Sequence, residues 1–219
     1  MKLSETIRAY QTEGEHDRYR SWEHCYRYFQ EAGPRGLLAD PKNAALQLAF
    51  YLASWGMYRG SSFLLQFAYT IHIPLIHTIA AKRFSDLWKI DMGSDRSHSE
   101  MIPIVLELMN DVREAYRPFA EENNSRVPSD TLVTKIVLGT FGCVPACDQF
   151  FLVGIKRQGI KYSTVNKLFL DRMLEFCQEN LKELQREQKR IAKRDGLKYP
   201  LMKLIDMHFW QWGSKHENV

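Results

Sequence analysis

Apolar residues recur every three to four positions along almost the whole chain, and the apolar–polar alternation of a strand is nearly absent. A period near 3.6 gives each segment an apolar stripe that has to be buried against other helices. The pattern predicts an all-α protein, a compact multi-helix bundle. Its 219 residues suit one large domain or two small, closely packed ones. The expected arrangement is a single domain in which 1–40 and 160–219 pack as one lobe and 41–159 as the other.

Helix boundaries follow from local chemistry. "EHDRYRSWEHCYRYFQE" (15–31) reads as an aromatic-rich helix stopped at Gly33-Pro34. Asp40-Pro41 supplies an N-cap acid followed by a proline at the first helical position. The helix it starts, "NAALQLAFYLASWGM", is apolar on most faces and is predicted to be central and buried, with Gly56 and Gly60 breaking it. Residues 61–83 form a second apolar segment, divided near His72–Pro74. A polar loop, "DMGSDRSHSE", precedes an amphipathic helix over 100–120, which tolerates Pro103 only in its first turn. After the loop "EENNSRVPSD", Ser129 or Asp130 caps a helix over 131–139. A helix over 148–157 follows. Ser163 or Thr164 then begins a long helix to about 194, ended by Gly196, and Pro200 starts a final one.

Composition narrows the class. The chain is 45% hydrophobic and 26% charged, ordinary for a soluble globular protein. "MKLSETIRAY" lacks the apolar core of a signal peptide, and no apolar run is long enough to span a bilayer, so a cytoplasmic protein without membrane contact is expected. Cysteines 25, 143, 147 and 177 form no CxxC pair and match neither zinc nor iron–sulfur spacing, which reads as four reduced, mostly buried thiols. No P-loop, GxGxxG, HExxH or Gly-x-Ser-x-Gly is present, so neither a metal nor a nucleotide cofactor is expected. His72 and His77 read as satisfied core or boundary residues.

The net charge of +4 is unevenly spread. Residues 149–203 hold 13 Lys and Arg against 6 Asp and Glu, whereas 95–130 hold 4 against 8. A basic C-terminal third suits a polyanion partner, and a solvated helix face with i,i+4 pairs explains it equally well. "GIKRQGIKYST" gathers Lys156, Arg157 and Lys161 next to Ser163 at an expected helix start, a combination suited to phosphate. Arg190, Lys193 and Arg194 either extend that patch or simply solvate their helix.

The stretch "LGTFGCVPACD" (138–148) interrupts the helical pattern. Gly139 and Gly142 let a helix end and the chain turn closely, Pro145 stiffens the approach, and Asp148 begins the next helix. An acid there is either an N-cap or a carboxylate aimed into a cleft.

Two segments together carry a resemblance. "LAFYLASWGMYRGSS" (48–62) looks like the apolar helix and polar turn of endonuclease-III-like proteins. "VTKIVLGTFGCVPACDQFF" (133–151) looks like their apolar helix, Phe-Gly break and Pro-containing loop that leads to the catalytic aspartate. The chain thus resembles the helix–hairpin–helix superfamily of DNA glycosylases over some 40 residues, with the helix order similar across roughly 40–160. The resemblance implies that fold, with Asp148 at the position of the catalytic carboxylate. It implies base flipping in double-stranded DNA containing a modified base, hydrolysis of the N-glycosidic bond and an abasic product. Trp55, Met57 and Tyr58 would stack on the flipped base and Arg59 would meet a phosphate or base edge, with Asp148 aimed into a cleft facing Trp55 and Arg59. Trp55 and Tyr58 read equally as core residues at helical spacing.

The departures shape the expectation. The hairpin signature Leu-x-Gly-hydrophobic-Gly is replaced by "NSRVPSDTLV", so the hairpin is degenerate. The Schiff-base lysine of lyase members falls at about Leu132. Lys135 lies opposite Leu132 and Ile136 and need not be buried. As a nucleophile it would need desolvation or nearby cations, and a phosphate or carboxylate partner suits it better. Thr134 and Asp130 could polarise the same cleft, though capping explains Asp130 more simply. The expectation is a monofunctional, monomeric hydrolase of a divergent branch. Glycosylases used in phage defence to remove modified bases are compatible with it. The alternative is a non-catalytic helical domain that binds nucleic acid or protein and uses Asp148 only as a cap.

Overall fold

The computed structural model describes residues 2–11, 16, 17, 19–122 and 128–215, and among them every regular element is helical. Ten α-helices follow one another among these residues: α1 (Leu3–Tyr10), α2 (Arg20–Ala39), α3 (Pro41–Ser54), α4 (Ile73–Ile79), α5 (Ile102–Glu122), α6 (Asp130–Thr140), α7 (Gln149–Arg157), α8 (Lys167–Glu179), α9 (Leu181–Asp195) and α10 (Leu201–Ser214). Short 3-10 turns fill 63–66, 69–72, 82–84 and 96–101. No helix among the described residues is long and apolar enough to cross a membrane. Of the segment "NSRVPSDTLV" expected in place of a hairpin, 124–127 lie outside the described residues, and the rest leads through Ser129 into α6.

The chain divides into two compact units. The first comprises Met1–Gly14, Asp91–Pro103 and Gly142–Val219, and the second Glu15–Ile90 and Ile104–Phe141. This differs from the division expected from the sequence, since α2 belongs with the middle of the chain and 142–159 with its two ends.

In the second unit α2 packs on α3, α4 and α6. The glycine stop in α2 is a true break: Gly33 has φ 56° and ψ 178°, and a short helical piece resumes at Pro34. Asp40 caps α3 by accepting from Asn43 N at 3.0 Å, with Pro41 in the first turn. α3 is not buried all round. Ala44, Ala45, Leu48, Ala49, Tyr51 and Leu52 face inward, while Leu46 and Phe50 are 50% and 61% exposed. α5 is amphipathic, burying Val105, Leu108, Met109, Val112, Tyr116 and Ala120. Ser129 caps α6, accepting from Leu132 N.

In α6 every residue from Leu132 to Thr140 is buried, so the expectation that Lys135 could stay exposed is corrected: it is 3% exposed. With no polar face left on the helix, the side opposite Leu132 and Ile136 is also packed. Gly139 does not end this helix. A Cβ there would lie 2.6 Å from the Tyr51 ring, so the glycine permits close approach of α3 instead. The turn comes at Gly142, with φ +71°.

In the first unit α10 is the central helix, buried from Leu201 to Trp210 and packed against α7, α1, α9 and α8. It meets α7 backbone to backbone. A Cβ on Gly154 would lie 2.0 Å from Phe209 O, and one on Gly213 would lie 1.9 Å from Phe150 O. The expected long helix over 163–194 is two helices. Asn166, not Ser163 or Thr164, is the first cap, accepting from Phe169 N at 3.0 Å. At Asn180 the side chain donates back to Phe176 O at 2.9 Å and the run breaks. Asn competes in this way with the backbone ladder.

Candidate functional site

Three groups of residues carry chemistry, and each is built within one unit. The turn that leads to Asp148 belongs to the first. From Gly142 to Cys147 it is wholly buried. A buried turn must satisfy its backbone groups. Ala146 N does so by donating to Asp206 Oδ1 at 3.1 Å, and Asp206 Oδ2 in turn accepts from Lys203 Nζ at 2.7 Å. Both side chains are nearly inaccessible, at 5% and 3%. Lys203 also donates to Tyr10 Oη at 3.2 Å and lies 4.9 Å from the centre of that ring. An ion pair on α10 thereby fixes the approach to Asp148. Sequence reading missed Asp206 and Lys203, because "PLMKLIDM" reads simply as part of an apolar helix.

Asp148 is half-buried and caps α7, accepting from Phe151 N at 3.1 Å through Oδ1. The cap reading is therefore realised. The cap bond takes one of the about four acceptor positions that an ionised carboxylate offers. Its negative charge is also favoured at a helix N-terminus.

Lys156 and Arg157 close the same helix, with Lys161 just beyond, and all three are exposed. None forms an ion pair with a described residue. Arg157 donates to Trp212 O at 3.2 Å. Arg190 and Arg194 differ: they pair with Glu187 and Asp195 on their own helix, so their charge is locally spent. Lys161 and Ser163 line an open cavity of about 770 Å³ together with Tyr162, Thr164, Asn166 and Arg172. Ser163 contributes a wall hydroxyl there, and not the helix cap expected of it.

The second unit holds Trp55, Met57, Tyr58 and Arg59. α3 ends in a reciprocal pair of turn bonds, Met57 N to Leu52 O at 2.9 Å and Gly56 N to Ala53 O at 2.9 Å. Gly56 takes the left-handed conformation this requires, with φ +72°. Trp55, Met57 and Tyr58 are half-buried and Arg59 is exposed. The Arg59 side chain folds back so that a Cβ on Gly56 would meet its Nε at 3.2 Å. Lys135 Nζ lies 4.7 Å from the centre of the Trp55 ring, whose neighbour Tyr19 is at 5.5 Å. Trp55 therefore packs structurally while keeping part of its surface. Asp130 pairs with Arg113 at 2.5 Å, and buried Thr134 donates to Asp130 O, so neither is a polarising group.

Tyr58 leads into a buried chain. Its hydroxyl is 2.6 Å from His72 Nε2, and His72 Nδ1 meets the Tyr116 hydroxyl. His72 and Tyr116 are fully buried. Burial lowers the His72 pKa from 6.5 to about 3, so the ring is neutral, and burial raises Tyr58 to about 12. His72 is thus the satisfied core histidine expected, but the tyrosines that satisfy it were not foreseen.

All four cysteines are free and buried, and burial pushes the Cys143 thiol up to about 12, which makes it unreactive. Among the described residues no group of three or more His, Cys, Asp or Glu is placed to hold a metal ion. No family model, no curated protein and no solved structure matches the chain.

Proposed function

We propose that the chain is a DNA glycosylase that hydrolyses the N-glycosidic bond of a modified base and leaves an abasic site. The observation that carries this reading is Asp148, a half-buried acid delivered by a pinned turn to the start of α7. The other end of that helix bears the exposed cations Lys156 and Arg157, neither in an ion pair with a described residue. The two ends are about 12 Å apart at 1.5 Å per residue.

In the reaction, the bond between C1′ and the base nitrogen breaks with its electrons leaving on the base. A water oxygen bonds to C1′, one of its protons goes to the base, and the sugar keeps the hydroxyl. The transition state is oxocarbenium-like, as in glycoside hydrolysis. Asp148 stabilises that positive charge and orients the water. Lys156, Arg157 and Lys161 contact phosphates. Trp55, Met57 and Tyr58 receive the base and Arg59 meets its edge or a phosphate, and extruding the base costs a few kcal/mol. Lys135, buried and held over Trp55, supports that ring and takes no part in lyase chemistry. Phage DNA with enlarged bases is the substrate class that fits a divergent, defence-type member.

The test is Asp148→Asn. Asn caps a helix about as well as Asp, so the melting temperature and DNA affinity should stay within error while base release is lost. Full base release by the variant would remove the mechanism. The cap bond from Phe151 N favours a second reading, a non-catalytic DNA-binding domain. On that reading neither the wild type nor the variant releases a base.

A further inference from the structure

The order of protons along the Tyr58–His72–Tyr116 chain decides which way Tyr58 points its own. A neutral imidazole donates through one nitrogen and accepts through the other. Two arrangements are therefore possible. In one, Tyr116 donates to Nδ1 and Nε2–H donates to Tyr58. In the other, Tyr58 donates to Nε2 and Nδ1–H donates to Tyr116.

The second arrangement leaves the Tyr116 proton with nowhere to go. That hydroxyl is fully buried, and His72 is its hydrogen-bond partner among the described residues. An unsatisfied buried donor is strongly disfavoured. The first arrangement places the surplus proton on Tyr58, which is only half-buried. Tyr58 stands between Met57 and exposed Arg59, on the turn closed by Gly56 and Gly60, both at positive φ.

We infer that Tyr116 and His72 are positioning residues that fix the Tyr58 hydroxyl as an outward hydrogen-bond donor, and that the group it takes is a neutral acceptor oxygen on the bound base. This rests on the proposed glycosylase reading for the ligand, though not for the proton order. Such a donor favours a carbonyl oxygen at the contacted edge and disfavours an exocyclic amino group, which would oppose two donors. Sites of this kind discriminate because a mismatched ligand leaves a desolvated polar group unpaired.

The experiment has two arms on the full chain. Nitrogen-15 NMR of the histidine side chains reads the tautomer, and His72 should carry its proton on Nε2. A proton on Nδ1, or on both nitrogens at pH 7, overturns the inference. The second arm measures affinity for duplexes with one bulged thymine or one bulged difluorotoluene, a shape analogue that lacks good acceptors. Wild type should prefer thymine by roughly 2- to 10-fold, the worth of one neutral hydrogen bond. Both Tyr58→Phe and Tyr116→Phe should abolish the preference. A preference that survives in Tyr116→Phe overturns the positioning role. If Tyr116→Phe does not fold, the wild-type tautomer and Tyr58→Phe decide. Bulged duplexes bound no better than paired ones, with the Nε2 tautomer in place, would overturn the ligand and the glycosylase reading while the proton order stands.

Discussion

Asp206 has two tasks, and both are visible at its carboxylate. Oδ1 holds Ala146 N in the turn before Asp148, and Oδ2 holds the buried Lys203 ammonium. Asp206→Ala removes both and leaves a buried charge without its ion-pair partner, a change that costs about 3–5 kcal/mol. Urea unfolding should show that loss as a lower midpoint with an unchanged m-value. Two other buried residues set the response to acid. Burial holds His72 near 3 and His208 near 4, against 6.5 when unfolded. Between those values the unfolded chain binds more protons than the folded one, so stability rises with pH. It is fully present above about 6.5 and lost as pH falls from there toward 4 and 3, at a steepest slope of about 1.4 kcal/mol per pH unit for each ring. His208→Gln should flatten its share of that slope in unfolding curves taken at pH 7, 6 and 5.

At the scale of elements, α7 and α10 depend on Gly154 and Gly213. Gly154→Ala sets a methyl about 2 Å from Phe209 O, which the crossing cannot absorb without a backbone shift. Overpacking of this kind costs typically 1–3 kcal/mol. Because α7 carries Asp148, base release should fall together with the melting temperature, and both should be measured on the same preparation. The caps at Asp40, Ser129 and Asp148 were legible in the sequence, since each is a local signal of an acid or hydroxyl ahead of an apolar run. The pairing of Gly154 with Gly213 was not, because the two lie 59 positions apart and neither marks the other. Lys135 misled for a related reason. A helical wheel gives the one polar side of α6, but tertiary packing decides whether that side is covered. The break at Asn180 was masked by good helix formers on both sides of it.

For the whole molecule, the all-helical character followed from periodicity alone, whereas the two units did not. They gather segments from distant parts of the chain, such as 91–103 with both ends, and no composition shift marks those joins. The candidate site was legible where single residues carry it, at Asp148 and in the basic run at the end of α7 and just beyond it. It was not legible where partners come from elsewhere, as with Asp206 and the His72–Tyr116 pair. The basic run gives a prediction for the whole molecule. Reversing Lys156, Arg157 and Lys161 to Glu removes three exposed cations, none paired with a described residue. DNA affinity should drop steeply, and the slope of log affinity against log salt should become shallower by about three units if each meets one phosphate. Unchanged binding in a salt titration would place the interface on other residues.

The central claim is that Asp148 serves base excision. It is tested most directly by counting abasic sites in genomic DNA, including DNA from phages with modified bases, after incubation with the wild type and with Asp148→Asn. The expected result is abasic sites in at least one DNA with the wild type and none with the variant. Equal counts with both proteins, or none in any DNA, would contradict it.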